Sequence, residues 1–312
     1  LETSATTCNT PWPNKVFNYR MHPVNAISAL AEAKIDCVCL ANNHTLDFGV
    51  DGLIETVRTV KEAKIAFAGA GETTDESRRP AVLTLPSEKS HHAQSQDQGG
   101  GDTDTDRNYQ VHVYSASDHP RDWAAVPTFH LIDYTATTRR HLKNVLTATW
   151  PSTAEAQKPA LKIFSVHWGP NYAWQPASEI QALAHFLIDE CGVDIVHGHS
   201  SHHVQGVERY KSKLIIYGCG DFVDDYALHE DYRNDLGALW RVTVSEKDSG
   251  LGLERLEIFP SRIDRFRATL LDIDDEDHGW VRKTVTQLSG KLGTTVRKEL
   301  GKEGQIVVDL GD

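Results

Sequence analysis

The chain has 312 residues, 39% of them hydrophobic and 24% charged, a composition that excludes a fibrous or disordered polymer and calls for a packed core. Asp and Glu number 44 against 32 Lys and Arg, a formal net charge of −12 with no basic run, which argues against a nucleic-acid partner. No segment reaches the roughly 20 apolar residues that a membrane-crossing helix needs, so no span is expected.

The chain opens at Leu1 with neither an initiator Met nor a charged-then-apolar leader, so upstream sequence carrying a signal or anchor is left open. Five cysteines, Cys8, Cys37, Cys39, Cys191 and Cys219, read as buried free thiols and favour a reducing, cytoplasmic compartment. Cys37 and Cys39 form a C-x-C without a second pair, which matches no usual zinc spacing.

In chain order, residues 35–40 form an apolar run that stops at Ala41-Asn42-Asn43-His44, as a buried strand does on reaching the sheet edge. Apolar residues at Val50, Leu53, Ile54, Val57, Val60 and Ala63 recur at helical spacing, and residues 65–68 read as the next strand, closed by Gly69 and Gly71. Residues 87–107 carry almost no large apolar side chain, and an exposed insertion is expected there, with His91 and His92 given no role. Residues 161–166 as strand, 178–191 as amphipathic helix, and 193–197 and 214–217 as strands complete an alternation that implies a layered α/β fold. Two further β-like segments, 239–244 and 254–259, lead through an acidic patch at 272–277 into a helix around 280–300.

Chemistry gathers where these strands stop, the place where ligands collect in open α/β sheets. Four of the sixteen histidines lie within residues 197–203. Imidazole suits Zn, Mn, Fe or Ni, and His199 and His202 are the expected ligands, with His203 assigned to a His-rich surface loop. Asn43 follows the first strand with an amide oxygen able to ligate a hard cation, and His44 beside it can donate a proton. His167 ends a third strand, where Gly169 and Pro170 turn the chain away. Trp168, Asn171, Tyr172 and Trp174 cluster behind it, as a substrate wall or as core.

Taken together these motifs resemble the CapA-type poly-γ-glutamate capsule biosynthesis proteins, a branch of the calcineurin-like metallophosphoesterases, over nearly the whole chain. Leu1-Glu2 is similar to the end of that family's Asn-Leu-Glu motif, and Tyr19-Arg20-Met21-His22-Pro23 to the segment after it. Asn42-Asn43-His44 with Asp47, His167-Trp168-Gly169, Gly198-His199-x-x-His202 with Gln205, and Tyr217-Gly218-Cys219-Gly220-Asp221-Phe222 resemble its later motifs. Two departures stand out: the family's first strand, with its Gly-Asp ligand, falls upstream of Leu1, and Ser200-Ser201 replace the usual His-Pro.

The resemblance implies a calcineurin-like sandwich of β-sheets flanked by helices, one domain over 1–312 with a β/helical extension from about 239. It further implies two divalent ions (Mn, Zn or Fe) held by Asn43, His167, His199 and His202 with Glu2 bridging or flanking. His44, with Asp47, would be catalytic, and Arg20, His22, Trp168, Asn171, Gln205 and Asp221 would touch substrate or support the ligands. The expected reaction is attack of a metal-activated water on a phosphoester or related bond of a small-molecule, peptide or polymer substrate. Metal-assisted epimerisation of a peptide Cα, which needs a pair of bases, and a non-catalytic polymer-handling role are the competing readings.

Overall fold

The computed structural model describes residues 1–87, 108–150, 158–247 and 250–311. Apart from Ser87, the insertion expected at 87–107, His91 and His92 included, lies outside the described residues.

The N-terminal portion packs a short parallel pair, β1 (Ser4–Ala5) and β2 (Arg20–Met21), beside α1 (Pro23–Glu32), β3 (Cys37–Cys39), α2 (Gly49–Glu62) and β4 (Ala66–Ala68). β3 and β4 pair in parallel, as the βαβ reading of 35–68 requires. The buried stripe of α2 is Leu53, Val57 and Val60, three residues drawn from the predicted helical spacing, and each contributes about 1.5–3 kcal/mol by leaving water. It covers Val38, Leu40 and Leu46, so the polar loop after β3 is fixed from beneath.

After α3 (Thr74–Arg78) come β5 (Ala81–Pro86), β6 (Asn108–Ser117), α4 (Ala136–Thr147), β7 (Leu161–His167), α5 (Ser178–Cys191), β8 (Ile195–His199), β9 (Val207–Tyr210) and β10 (Lys213–Ile216). The six strands form one sheet in the order β5-β6-β7-β8-β10-β9, with β6, β7, β8 and β10 parallel and the two outer strands antiparallel. Alternation along each strand splits its residues between two faces. Tyr114, Phe164, Val166, Val196 and Ile215 meet Leu142 and Leu146 of α4 and Leu183 and Leu187 of α5. α5 stops at Gly192, whose φ of +67° supplies the left-handed cap.

On the opposite face Val111, Val113, Leu161, Ile195 and Leu214 meet a second sheet made of β11 (Leu236–Lys247), β12 (Gly250–Asp264), β13 (Arg267–Leu270) and β14 (Ile306–Asp309). β11 pairs along one edge of β12, and β14 and β13 take successive stretches of the other. α6 (Glu276–Lys291) adds Val281 and Val285 to the same core. The architecture is thus mixed α/β, helices against a six-stranded sheet and that sheet against a four-stranded one.

The register of the parallel strands sets the site. Ser117 is the Cα partner of His167, and His167 of His199, so β6, β7 and β8 end in one row. Both histidines are the last residues of their strands rather than loop residues.

Candidate metal centre

His167 and His199 face each other with Nδ1 atoms 3.0 Å apart, and the Glu2 carboxylate lies 4.0 Å from His167 Nδ1. The three side chains place ligand atoms within 4.8 Å of one another. Glu2 keeps 38% of its side chain open to solvent, whereas His167 is 1% exposed, so the group is reached by solvent from the Glu2 side. Burial holds His167 well below the ordinary imidazole pKa, and the nearby His199, His119, His44 and His202 add to the effect. His199 is lowered in the same way, and neutral imidazole is the form that binds metals.

The donor set fits a divalent cation on a further observation. The Nε2 atoms of His167 and His199 and the Oδ1 of Asn43 are buried without a hydrogen-bond partner among the described residues. A buried polar atom left unmatched costs roughly 1–3 kcal/mol, and unmatched atoms on three of the expected ligands fit residues that a cation would satisfy.

A second group lies alongside. His202 Nδ1 sits 2.9 Å from Asp221 Oδ2 and 3.0 Å from Oδ1, and His202, Asp221 and Asp224 again hold ligand atoms within 4.8 Å. Burial pushes the Asp221 carboxyl up to about 10, aided by its hydrogen bond to Asp224 and by the charges of Asp224 and Glu2. Burial also lowers His202, so the pair is better described as neutral hydrogen-bonded partners than as an ion pair. Tyr226 stacks on the His202 ring at 4.3 Å.

The loop after β3 delivers His44 and Asp47. His44 Nδ1 lies 2.6 Å from Asp47 Oδ2, which also accepts the Tyr19 N–H at 2.6 Å, while Lys15 Nζ sits 2.6 Å from the other carboxylate oxygen. Asp47 is fully buried, and Tyr19 stacks on the His44 ring at 4.1 Å. Burial lowers His44 against the opposing pull of Asp47. With Nδ1–H donating to Asp47, the Nε2 of His44 presents a lone pair, the arrangement of a general acid–base histidine.

Other sequence-predicted residues have supporting or distant places. The Asn171 carbonyl accepts the His202 N–H at 3.0 Å, and the Gln205 amide donates to the Ala173 carbonyl at 2.6 Å, tying the 171–174 segment to the histidine loop. Ser200, with φ of +100°, makes the turn between His199 and His202 and donates to the Gly169 carbonyl. Arg20 donates to the Cys8 carbonyl and Asn9, and His22 caps α1; among the described residues neither side chain hydrogen-bonds or ion-pairs with the cluster.

One expectation is corrected. His203 is fully buried rather than a surface residue, because Tyr172, Trp174 and Tyr232 converge on its ring and both its nitrogens are satisfied, by the Ala173 N–H and the Val204 carbonyl. Of the two alternatives left open for Trp168, the core one holds: it is 3% exposed, donates to the Tyr217 carbonyl at 2.9 Å, and packs so close to Gly198 that a Cβ there would lie 2.5 Å from its Nε1. Tyr172 and Trp174 remain partly exposed, Tyr172 with its ring 6.0 Å from His202.

Sequence reasoning missed Lys15, Asp224, and the Asp118-His119 pair just beyond β6. The His119 ring lies 4.8 Å from His167, and its Nδ1 bonds to Asp118. Burial alone would raise the Asp118 carboxyl, yet His119, the Tyr134 hydroxyl and the Gly169 N–H together hold it below the usual carboxylate range. The signal available was a polar pair directly after an alternating run at 108–117.

A probable polyglutamine synthesis accessory protein of Mycobacterium tuberculosis is 36% identical over 306 residues, 95% of this chain and 73% of that protein. The capsule biosynthesis protein CapA of Bacillus anthracis is 27% identical over 199 residues, 64% of this chain and 42% of its own length. The PGA biosynthesis protein CapA of Bacillus subtilis is 23% identical over 295 residues, 92% of this chain and 62% of that protein. Residues 1–226 match the family described as bacterial capsule synthesis protein PGA_cap, and the chain belongs to that family.

Proposed function

We propose that the protein is a metal-dependent hydrolase of the calcineurin-like type, acting on a phosphoester or related bond during assembly of a capsule or poly-glutamate polymer. The observation that carries this reading is the convergence of Glu2, His167 and His199, the two histidines with unmatched buried Nε2 atoms, near an oriented His44–Asp47 pair. Asn43, His167, His199, His202 and Glu2 would hold the ions, and Asp221 orients His202. Divalent ions bound there supply Lewis acidity and acidify water near neutral pH.

This chain's own groups do the rest. Asp47 and the stacked Tyr19 fix the His44 ring with its Nε2 lone pair facing the site, so that Nε2 would first take up a proton there and then pass it to the leaving oxygen. Asp118 accepts the Gly169 N–H and thereby holds the turn that follows His167. The mixed α/β layering of helices, six-stranded sheet and four-stranded sheet is compatible with the sandwich that this reading takes as its frame. Link to the polymer rests on the names of the relatives, and the substrate is taken as a small-molecule, peptide or polymer ester.

The test is turnover of a chromogenic aryl phosphodiester by metal-depleted protein with Mn, Zn or Fe(II) added back. Activity that requires added metal and falls at least a hundredfold in His44→Asn, with metal content unchanged, is expected. Equal turnover in the presence of a chelator would refute the reading.

A further inference from the structure

The segment between β10 and β11, residues 217–235, leaves the six-stranded sheet and enters the four-stranded one, and on its way it brings Asp221, Asp224 and Tyr226 to His202. We infer that Arg233 is a positioning residue for this half of the site: its guanidinium clamps the segment to the N-terminus of α6 and so keeps Asp221, Asp224 and Tyr226 against His202. The functional part of the inference rests on the metal reading above.

The clamp is doubly forked. Arg233 Nε and Nη2 donate to the two Asp235 oxygens at 2.8 Å each, and Nη1 and Nη2 donate to the two Asp277 oxygens at 3.0 Å each. Asp277 is shared with Arg262, whose Nη2 donates to it at 2.6 Å and to the Asp275 carboxylate at 3.0 Å. Arg262 belongs to β12, and Asp275 caps α6. Planar bidentate pairing of this kind fixes orientation as well as distance, which a lysine cannot do. Arg233 also holds a left-handed φ of +50°, a conformation that a non-glycine residue keeps only when its surroundings impose it.

Contacts run from the clamp to the ligand without a break. The Arg233 N–H donates to the His229 carbonyl at 2.8 Å, and the buried Asn234 side chain accepts the His229 N–H and donates to the Ala227 carbonyl, closing the segment on itself. The Phe266 N–H, just past β12, donates to the Asp224 carbonyl at 2.9 Å. On the other side the Arg233 guanidinium lies 5.8 Å from the Trp280 ring, and rings then follow through Trp174, Tyr232 and Tyr172 to His202. Asp277, Arg262 and Trp280 all lie past residue 226, outside the segment that defines the family. The chain past residue 226 thus sets the geometry of a site whose ligand groups all come before it.

The experiment combines Mn²⁺ titration calorimetry with hydrogen–deuterium exchange on the full chain for wild type, Arg233→Ala and Arg233→Lys. The expected result is a loss of about tenfold in affinity for one of two Mn²⁺ ions in Arg233→Ala, the scale seen when groups behind a metal ligand are removed. Amides of 221–232 should exchange faster in that variant while those of β7 and β8 keep their protection, and Arg233→Lys should recover only part of both effects. A folded Arg233→Ala with wild-type Mn²⁺ affinities overturns the inference, whether or not the segment loosens. Should Arg233→Ala fail to fold, Asp277→Asn is held to the same criteria. If wild-type protein binds no Mn²⁺, the metal reading falls, and unchanged exchange of 221–232 in Arg233→Ala would overturn the clamp separately.

Discussion

Asp47→Asn is nearly isosteric and replaces one carboxylate oxygen by an NH2 group at a fully buried position. Two donors reach Oδ2 of the native carboxylate, His44 Nδ1 and the Tyr19 N–H, and the Lys15 ammonium forms an ion pair with Oδ1, each 2.6 Å away. An amide has one acceptor atom, so its NH2 must face either Lys15 or the His44 and Tyr19 pair. Charge-assisted hydrogen bonds are worth about 1.5–3 kcal/mol each, and the Lys15 contribution is discounted because that side chain is 17% exposed. The expected loss of stability is about 3 kcal/mol, read from urea denaturation at neutral pH.

The same substitution has a chemical signature. If the NH2 faces His44, Nδ1 becomes the acceptor, the hydrogen moves to Nε2, and the lone pair offered to the site is lost. Turnover should then fall about 10²–10⁴-fold, the range for misassigning the tautomer of an acid–base histidine, with metal content unchanged. Wild-type stability together with wild-type turnover would refute the assignment of Asp47 as the group that orients His44.

Further outcomes follow from burial and packing. Burial holds His130 at about 4, below the ordinary imidazole value near 6.5, so as pH falls the unfolded chain takes up a proton that the folded one refuses. Stability is therefore complete above about pH 6.5 and is lost on the way down to about 4, by ~2 kcal/mol at pH 5 for this residue. His130→Gln should flatten the denaturation profile between pH 7.5 and 5 by that amount, and an unchanged slope would contradict it. Gly198→Ala should cost about 3 kcal/mol or more in thermal or urea unfolding, because the new Cβ would lie 2.2 Å from the Tyr217 carbonyl oxygen and 2.7 Å from that of Ile216. Mn²⁺ at a hundredfold over its Kd should stabilise the metal-depleted protein by about 2.7 kcal/mol, and His199→Ala should remove most of that gain.

Much of the frame was legible because apolar runs that halt at Asn or His are what buried parallel strands look like. Val38, Phe164 and Val196 lie on such runs; the six-stranded sheet gathers the motifs after Phe164 and Val196, while Val38 belongs to the separate β3–β4 pair. The details hidden from the sequence are those made by partners remote in the chain. His203 read as a surface residue because its own neighbours are Ser201, His202 and Val204; the rings that bury it come from Tyr172, Trp174 and Tyr232. Lys15 sits in a loop without periodicity and acquires meaning only through Asp47. β6 mixes His112, Ser115 and Ser117 with apolar residues, so its pattern is blunted, although it is the strand that carries Asp118 and His119 to the site. Trp168 was ambiguous for the opposite reason, since an aromatic beside a candidate ligand can pack inward as readily as outward.

The most direct test of the central claim is anomalous diffraction from crystals of the full chain grown with Mn²⁺. Two peaks are expected, one against Glu2, His167 and His199 with the Asn43 oxygen turned towards it, and one against His202 and Asp221. A map with no peak at these side chains, or with manganese only on surface histidines, would contradict it.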